Sequence, residues 1–312
     1  MPLSRRAHYV ALTLLVGLTA INVVLAARFL RFTTNGNAAT ARSAPPAVTD
    51  VIRVVGQERA AGGDATLTVS VPGAPRAAVL PAAAFEVSLD GRSAATTVDP
   101  APAAGEIVAI VAETSADVTR SDLPAAGNGP TKLLLQLPTD SRAVVVGTAG
   151  PTLLQPVTKD VTAALRALER VSPAGTASPG AALLIAARQV ASAPRLNQAV
   201  LVVGSAGIAQ RENEIADATL GAQASGTQVY LVGRGVPGSS ALRAALAATG
   251  GTAYSSVLAD APLGPYDALA ADMANRYRLT FPMPMSRTAV TVRVNATGVN
   301  GTAGSIVDPL LQ

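Results

Sequence analysis

The 312-residue sequence has no cysteine, no tryptophan and a single histidine, His8. Without cysteine, the chain has no disulfide, no thiolate metal site and no cysteine nucleophile. Aromatic residues make up only 3% of the chain and charged residues 14%, whereas hydrophobic residues reach 49%. This composition excludes disorder throughout and predicts a sizeable core built mainly from alanine, valine and leucine.

Acidic residues are absent before Asp50, and the first hydrophobic segment is flanked by Arg5, Arg6, Arg28 and Arg31. Outside these four arginines, 20 basic residues balance 20 acidic ones, so the net charge of +4 belongs to the amino-terminal segment. A neutral remainder lacks the basic surface that nucleic-acid binding requires. We therefore expect no nucleic-acid partner.

One long apolar run extends over 19 residues, from Tyr9 to Ala27, with Asn22 as its one strongly polar side chain. A helix of this length nearly crosses a hydrocarbon core of about 30 Å. We expect residues 1–32 to form an uncleaved single-pass anchor, followed by a flexible linker of small residues and proline at 33–50. A signal peptide cleaved after Val24-Leu25-Ala26 is the alternative, although its apolar region would be shorter.

Residues 51–104 have a β pattern, with alternating apolar residues at 66–71 and 85–89 and an Asp90-Gly91 turn. We predict a small β-rich module there, without a helix of its own. Residues 283–312 are predicted to form a carboxyl-terminal strand and tail, in which the alternating strand 287–294 pairs with that module.

Between these segments, residues 105–282 alternate unbroken apolar runs with amphipathic stretches. Such runs are typical of parallel strands buried on both faces, so we predict a doubly wound, mostly parallel α/β sheet with helices on both faces. The predicted strands are 107–112, 143–147, 199–203 and 229–232, and the predicted helices are 161–170, 179–190, 212–224, 239–249 and 267–277.

Several segments of this region resemble the von Willebrand factor A (vWA) domain in the order that the family has them. IVAIVAETSADV (107–118) resembles its first strand and metal-binding turn, and VYLVGRGVPGSSALRAALAATGGTAY (229–254) its late strand, helix and turn. DMANRYRLTFPMP (272–284) resembles the tail of bacterial vWA-related proteins. The resemblance implies a vWA/Rossmann-like fold and a bacterial domain held outside the cell membrane by the amino-terminal helix.

In the vWA family, loops at the carboxyl ends of the strands hold Mg²⁺ or a similar ion. Transferred by resemblance, the Asp-x-Ser-x-Ser turn becomes Glu113, Ser115 and Asp117, the second-loop threonine is Thr176, and Ser205 stands where an aspartate is expected. Mg²⁺ requires near-ideal octahedral geometry, which these displaced carboxylates fit poorly. We therefore predict a degenerate metal site without a cofactor, whose polar residues cap turns and helices; a retained Mg²⁺ is the alternative.

Two further segments match known functional motifs only in part. Residues 233–238 fit G-x-G-x-x-G, but they lie late in the domain and Pro237 removes one amide, so we expect no nucleotide. Ser205 lies in a near match to the hydrolase elbow, but His8 is the only histidine of the chain and lies at the membrane end.

From these features we predict a non-enzymatic protein-interaction or scaffold module with a partner in the membrane or cell envelope. A metal-dependent adhesion module with altered ligands and a serine hydrolase-like enzyme are the alternatives. The expected binding surface is the rim of loops that carries Glu113, Ser115, Asp117, Thr176 and Ser205, joined by Arg120 and Arg211.

Overall fold

The computed structural model divides the chain into two compact units, Met1–Thr49 and Asp50–Gln312. All residues that the structure describes lie in the second unit: 52–59, 63–72, 74, 79–101, 105–116, 118, 123–138, 140–193, 197–204, 210–233, 239–255, 264–282, 284–296 and 299–307. No helix within these ranges is both long enough and apolar enough to cross a membrane. The predicted anchor at 1–32 and linker at 33–50 lie outside the described residues.

A six-stranded sheet forms the centre of the unit, in the order β11-β10-β9-β6-β7-β8. Every pairing is parallel except that of β8, an antiparallel edge strand. All seven residues of β6 are buried, as expected for a strand covered on both faces. The strands are β6 Glu106–Ala112, β7 Arg142–Gly147, β8 Thr152–Thr158, β9 Asn197–Gly204, β10 Gln228–Gly233 and β11 Ala253–Ser255.

Helices cover both faces of this sheet. Alternate residues of β6 face opposite sides: Ile107 and Ala109 pack in the core beneath α3, α4 and α5, whereas Val108 and Ile110 pack in the core beneath α1, α2 and α6. The predicted doubly wound, mostly parallel α/β fold is confirmed. The helices are α1 Leu123–Gln136, α2 Val161–Glu169, α3 Pro179–Ala191, α4 Glu212–Gln223, α5 Ser240–Ala248 and α6 Gly264–Ala274.

The remaining strands form two four-stranded antiparallel sheets, β1-β2-β12-β5 and β14-β13-β3-β4, which share one apolar core. The predicted β-rich module from residues 51–100 and the chain end is thus confirmed, with a 3₁₀ turn at Ala82–Ala84 as its one described helical segment. The strands are β1 Arg53–Arg59, β2 Ala65–Ser70, β3 Phe85–Leu89, β4 Arg92–Ser93, β5 Thr97–Pro100, β12 Arg276–Phe281, β13 Thr288–Ala296 and β14 Val299–Val307.

Strand β12 differs from the prediction. Residues 275–277 were predicted to end a helix, but α6 ends at Ala274 and β12 begins at Arg276. β12 then pairs with β2 on one side and β5 on the other. A segment predicted to belong with residues 105–282 therefore lies in the middle of a module sheet.

Candidate functional site

The loops that follow β6 and β7 are joined by two threonine hydroxyls at the carboxyl edge of the sheet. Thr148 Oγ1 accepts a hydrogen bond from the Thr114 amide at 3.0 Å, and Thr114 Oγ1 accepts one from the Ala149 amide at 2.8 Å. Both threonines are buried, at 7% and 1% exposure for Thr114 and Thr148 respectively. These side chains replace the backbone pairing that the two strands lose as they end.

Glu113 and Ser115, two of the predicted site residues, lie in the same loop and contact each other. Ser115 Oγ donates to Glu113 Oε1 at 3.2 Å. Ser115 is 0% exposed and Glu113 is 3% exposed. The pair therefore points into the loop. This agrees with the interpretation of a polar loop whose side chains satisfy local groups.

The loop that carries Thr176 is bound to the Glu113 loop through the backbone. Ala174 N donates to Thr114 O at 2.8 Å, and Ala116 N donates to Gly175 O at 3.0 Å. Gly175 has a φ of 71°, a conformation that glycine adopts without strain. The structure thus brings the first two predicted loops together and leaves Thr176 exposed at their surface.

The other predicted rim residues are placed only in part. Asp117, Ser205 and Arg120 lie outside the described residues. Arg211 is described and forms an ion pair with Glu214 at 3.5 Å, near the start of α4. It therefore helps to neutralise a carboxylate at that helix end.

The described part of the rim does not by itself fit Mg²⁺. Its one carboxylate among the predicted residues, Glu113, is almost fully buried and already accepts from Ser115. Mg²⁺ keeps several waters and needs ligands in octahedral positions, which this enclosed pair does not offer. No group of three histidine or acidic side chains suited to a metal occurs within the described ranges.

Two leucines that sequence reasoning missed lie beside the rim. Leu153 and Leu154 follow Thr152 in the first half of the edge strand β8, and each is 37% exposed. Leu153 pairs with Val146, and a side chain built at Gly147 would lie 3.4 Å from Leu154 Cδ1 and 3.0 Å from Thr114 Oγ1. Adjacent apolar residues at the open end of an edge strand were the available signal, but Pro156 obscured the strand pattern.

A second polar cluster lies at the opposite, amino edge of the sheet. Arg276 Nη2 donates to Gln228 Oε1 at 2.8 Å and to Tyr230 Oη at 3.3 Å, and its Nη1 lies 3.6 Å from Glu106 Oε1. Asn197 Nδ2 donates to the same Glu106 oxygen at 3.3 Å. The cluster couples the module strand β12 to the first residues of β6, β9 and β10.

Burial governs the protonation of this cluster. It raises the pKa of the Glu106 carboxyl, against the opposing effect of the Arg276 guanidinium. It likewise raises the pKa of Tyr230, which stays a neutral hydrogen-bonding phenol. Nearby, Asp272 is fully buried and pairs with Arg53 of β1, while Ser70 donates to the backbone oxygen of Asp272 at 2.9 Å. These contacts are structural in character, because each charged group faces an opposite charge.

No protein-family model and no curated protein matches the chain. Solved structures that are similar to it include a von Willebrand factor type A protein from Catenulispora acidiphila, with 11% identity over 83% of this chain and 71% of that chain and a TM-score of 0.48. The vWF domain of the type V pili tip protein Mfa5 from Porphyromonas gingivalis has 11% identity over 54% of this chain and 94% of that chain, with a TM-score of 0.43. The manganese-loaded TRAP protein of Plasmodium vivax has 11% identity over 69% of this chain and 98% of that chain, with a TM-score of 0.40.

The order and direction of the strands, the helices on both faces and the carboxyl-edge loops together define the fold class. The described chain has a doubly wound, mostly parallel α/β sheet, the architecture that the resemblance in its sequence implies.

Proposed function

We propose that this chain is a non-enzymatic protein-binding module of the bacterial cell envelope. Residues Tyr9–Ala27 anchor it as a single-pass membrane protein, and the vWA-like unit lies on the extracytoplasmic side. The length and apolar character of that segment support the anchor. Its partner is a protein of the membrane or envelope, bound at the rim of loops at the carboxyl edge of the sheet.

The exposed Leu153–Leu154 pair carries this proposal. Binding energy at protein interfaces is concentrated in a few side chains that bury well against the partner. Here two adjacent leucines, each 37% exposed, flank loops that the Thr114 and Thr148 hydroxyls hold in place. A pre-organised polar rim beside an apolar pair loses little conformational entropy when a partner binds.

The chemistry of the rim supports binding rather than catalysis. Serine hydrolases need a base within hydrogen-bond reach of the nucleophile. The only histidine of the chain, His8, precedes the apolar segment, far in sequence from Ser205. Of the residues proposed for the rim, Glu113 and Ser115 are buried and bonded to each other, so they hold the loop and do not present a reactive group.

Photo-cross-linking in the native membrane tests the proposal. A photoreactive amino acid in place of Leu154 should capture one defined partner, and the same amino acid in place of Leu184 should not. Leu184 is a matched control because it is 36% exposed but lies within α3. The captured protein is then purified and its affinity measured for both leucine-to-glutamate variants.

We expect Leu154→Glu to weaken binding by about tenfold or more, which corresponds to about 1.4 kcal/mol, and Leu184→Glu to leave it within about twofold. Equal affinities for the two variants would place the interface elsewhere.

Protease added to spheroplasts should digest the domain, and digestion only after lysis would contradict the extracytoplasmic location.

Calorimetric titration with Mg²⁺, Mn²⁺ and Ca²⁺ separates this proposal from metal-dependent adhesion. We expect no binding heat for the full-length chain. Heat that disappears in Asp117→Ala would favour the alternative with altered ligands, and the partner's affinity should then depend on the ion as well.

A further inference from the structure

A cleft of about 1100 Å³ opens on the side of the unit away from the rim. It lies between the β module and the amino edge of the central sheet. Strand β1 lines it from Val54 to Arg59, the carboxyl-terminal ends of α4 and α5 line it from the central sheet, and Arg276 contributes from β12. The rim and this cleft are therefore separate surfaces.

The lining of the cleft is polar and rich in carboxamides. Small-molecule sites are mostly apolar, with aromatic walls. The described lining has no aromatic side chain, and a carboxamide both donates and accepts, as a peptide group does. Its five carboxamides are Gln57, Asn197, Gln198, Gln223 and Gln228.

Strand β1 offers an open edge to this space. It pairs with β2, and no described strand pairs with its other side. At Val55 that side is occupied, because Gln228 Nε2 donates to Val55 O at 3.1 Å and a side chain at Gly250 would lie 2.6 Å from the same oxygen. The next residues of β1, Gly56 to Arg59, also line the cleft over a length of about 13 Å, together with Thr68 of β2 and Arg278 of β12.

Charge in the lining favours an acidic occupant. Arg278 lies 3.6 Å from Glu58, and Arg276 faces Glu106, which leaves the charge of Arg59 in excess among the charged lining residues. A carboxylate near the Arg59 end of β1 would balance it.

We propose that this cleft is a second binding site, which takes an extended segment of a partner polypeptide. The segment adds a strand to the edge of β1 over Gly56–Arg59, forms main-chain hydrogen bonds with it, and places an acidic side chain near Arg59. Carboxamides of the lining bind its remaining peptide groups. This mode of recognition uses the unpaired edge of a sheet as the template for an added strand.

Panning a phage library of random linear peptides against the full-length chain in detergent tests the proposal. The enriched peptides are synthesised, and their affinities are measured by fluorescence polarisation. We expect the panning to enrich acidic peptides. Their affinity for the Gln223→Trp variant should be about tenfold or more below that for the unchanged chain, because the indole fills the cleft from the exposed end of α4. Asn213→Trp, exposed at the other end of the same helix, should bind them as the unchanged chain does.

Backbone methylation then distinguishes strand addition from other binding. In an added strand only every second peptide N–H faces β1. Methylation of one alternating set of amides should weaken binding about tenfold or more, and methylation of the other set should leave it nearly unchanged.

Arg59→Glu changes an exposed residue of the lining and should weaken the binding of the acidic peptides. Arg287→Glu changes an exposed residue outside the lining and should leave that binding unchanged. The proposal is overturned if no enriched peptide loses affinity for the Gln223→Trp variant. It is also overturned if methylation of the two alternating sets of amides weakens binding equally.

Discussion

Replacing Thr148 with valine tests how the carboxyl-edge loops are held together. Valine matches the shape of threonine but lacks the hydroxyl that accepts from the Thr114 amide at 3.0 Å. Thr148 and Thr114 are 1% and 7% exposed, so water cannot readily take the place of the lost acceptor. A buried donor left unsatisfied costs about 1–3 kcal/mol.

We expect this cost to fall on the loop, because local opening can break its contacts while the sheet stays folded. Native-state amide hydrogen exchange reports the free energy of such local opening. At 1.36 kcal/mol for each factor of ten, the Thr114 amide of Thr148→Val should exchange from about fivefold to about 150-fold faster than in the unchanged chain. Amides in the middle of β6 should keep their rates.

Thr302→Val is the matched control, because Thr302 is exposed on β14 and valine suits a strand. It should change stability by no more than about 0.5 kcal/mol and leave the Thr114 amide unaffected. An unchanged Thr114 rate in Thr148→Val would refute the idea that the hydroxyl holds this loop.

Two further changes probe helix packing and the buried cluster. Gly129→Ala should destabilise the chain by about 1–3 kcal/mol, because the added methyl would lie 2.0 Å from a ring carbon of Tyr266. Gly127→Ala has open space around it and should stabilise the same helix by about 0.5–1 kcal/mol. Urea unfolding midpoints that coincide for these two variants would contradict both expectations. Burial raises the pKa of the Glu106 carboxyl above its ordinary 4.5, so the folded state holds that proton more tightly and stability should fall as pH rises from about 4.5 through the folded pKa. Glu106→Gln should lack this loss in urea unfolding between pH 4 and pH 8, and a parallel pH dependence in both proteins would exclude Glu106 as its source.

The central sheet was predictable because its strands are unbroken apolar runs, such as residues 107–112, that only a sheet covered on both faces can bury. Helix α1 was missed because Gly127-Asn128-Gly129-Pro130 interrupts it with poor helix formers. Gly129 stands there because Tyr266 of α6 leaves no room for a side chain. Such a tertiary requirement cannot be read from local propensity.

Strand β12 was missed for a similar reason. Its first residues continue the pattern of α6, and only pairing with β2 and β5 separates the two elements. At the rim, the resemblance led to Glu113, Ser115 and Thr176, the residues of a metal-binding pattern. Thr114 and Thr148, which hold the loops, lie at positions that the pattern leaves unspecified. Two threonines just beyond neighbouring buried strands were the signal that could have found them.

The order in which the strands are synthesised has a consequence for biogenesis. β2 and β5 meet their common partner β12 only after the ribosome has added the roughly 180 residues between residues 100 and 276. Closing so long a loop in an unfolded chain is slow. Once the central sheet has formed, however, Glu106 and Arg276 are adjacent, so its folding brings β5 and β12 together. The α/β sheet thereby acts as a template for the module, and truncation before β12 should leave an aggregation-prone nascent chain with unpaired strands.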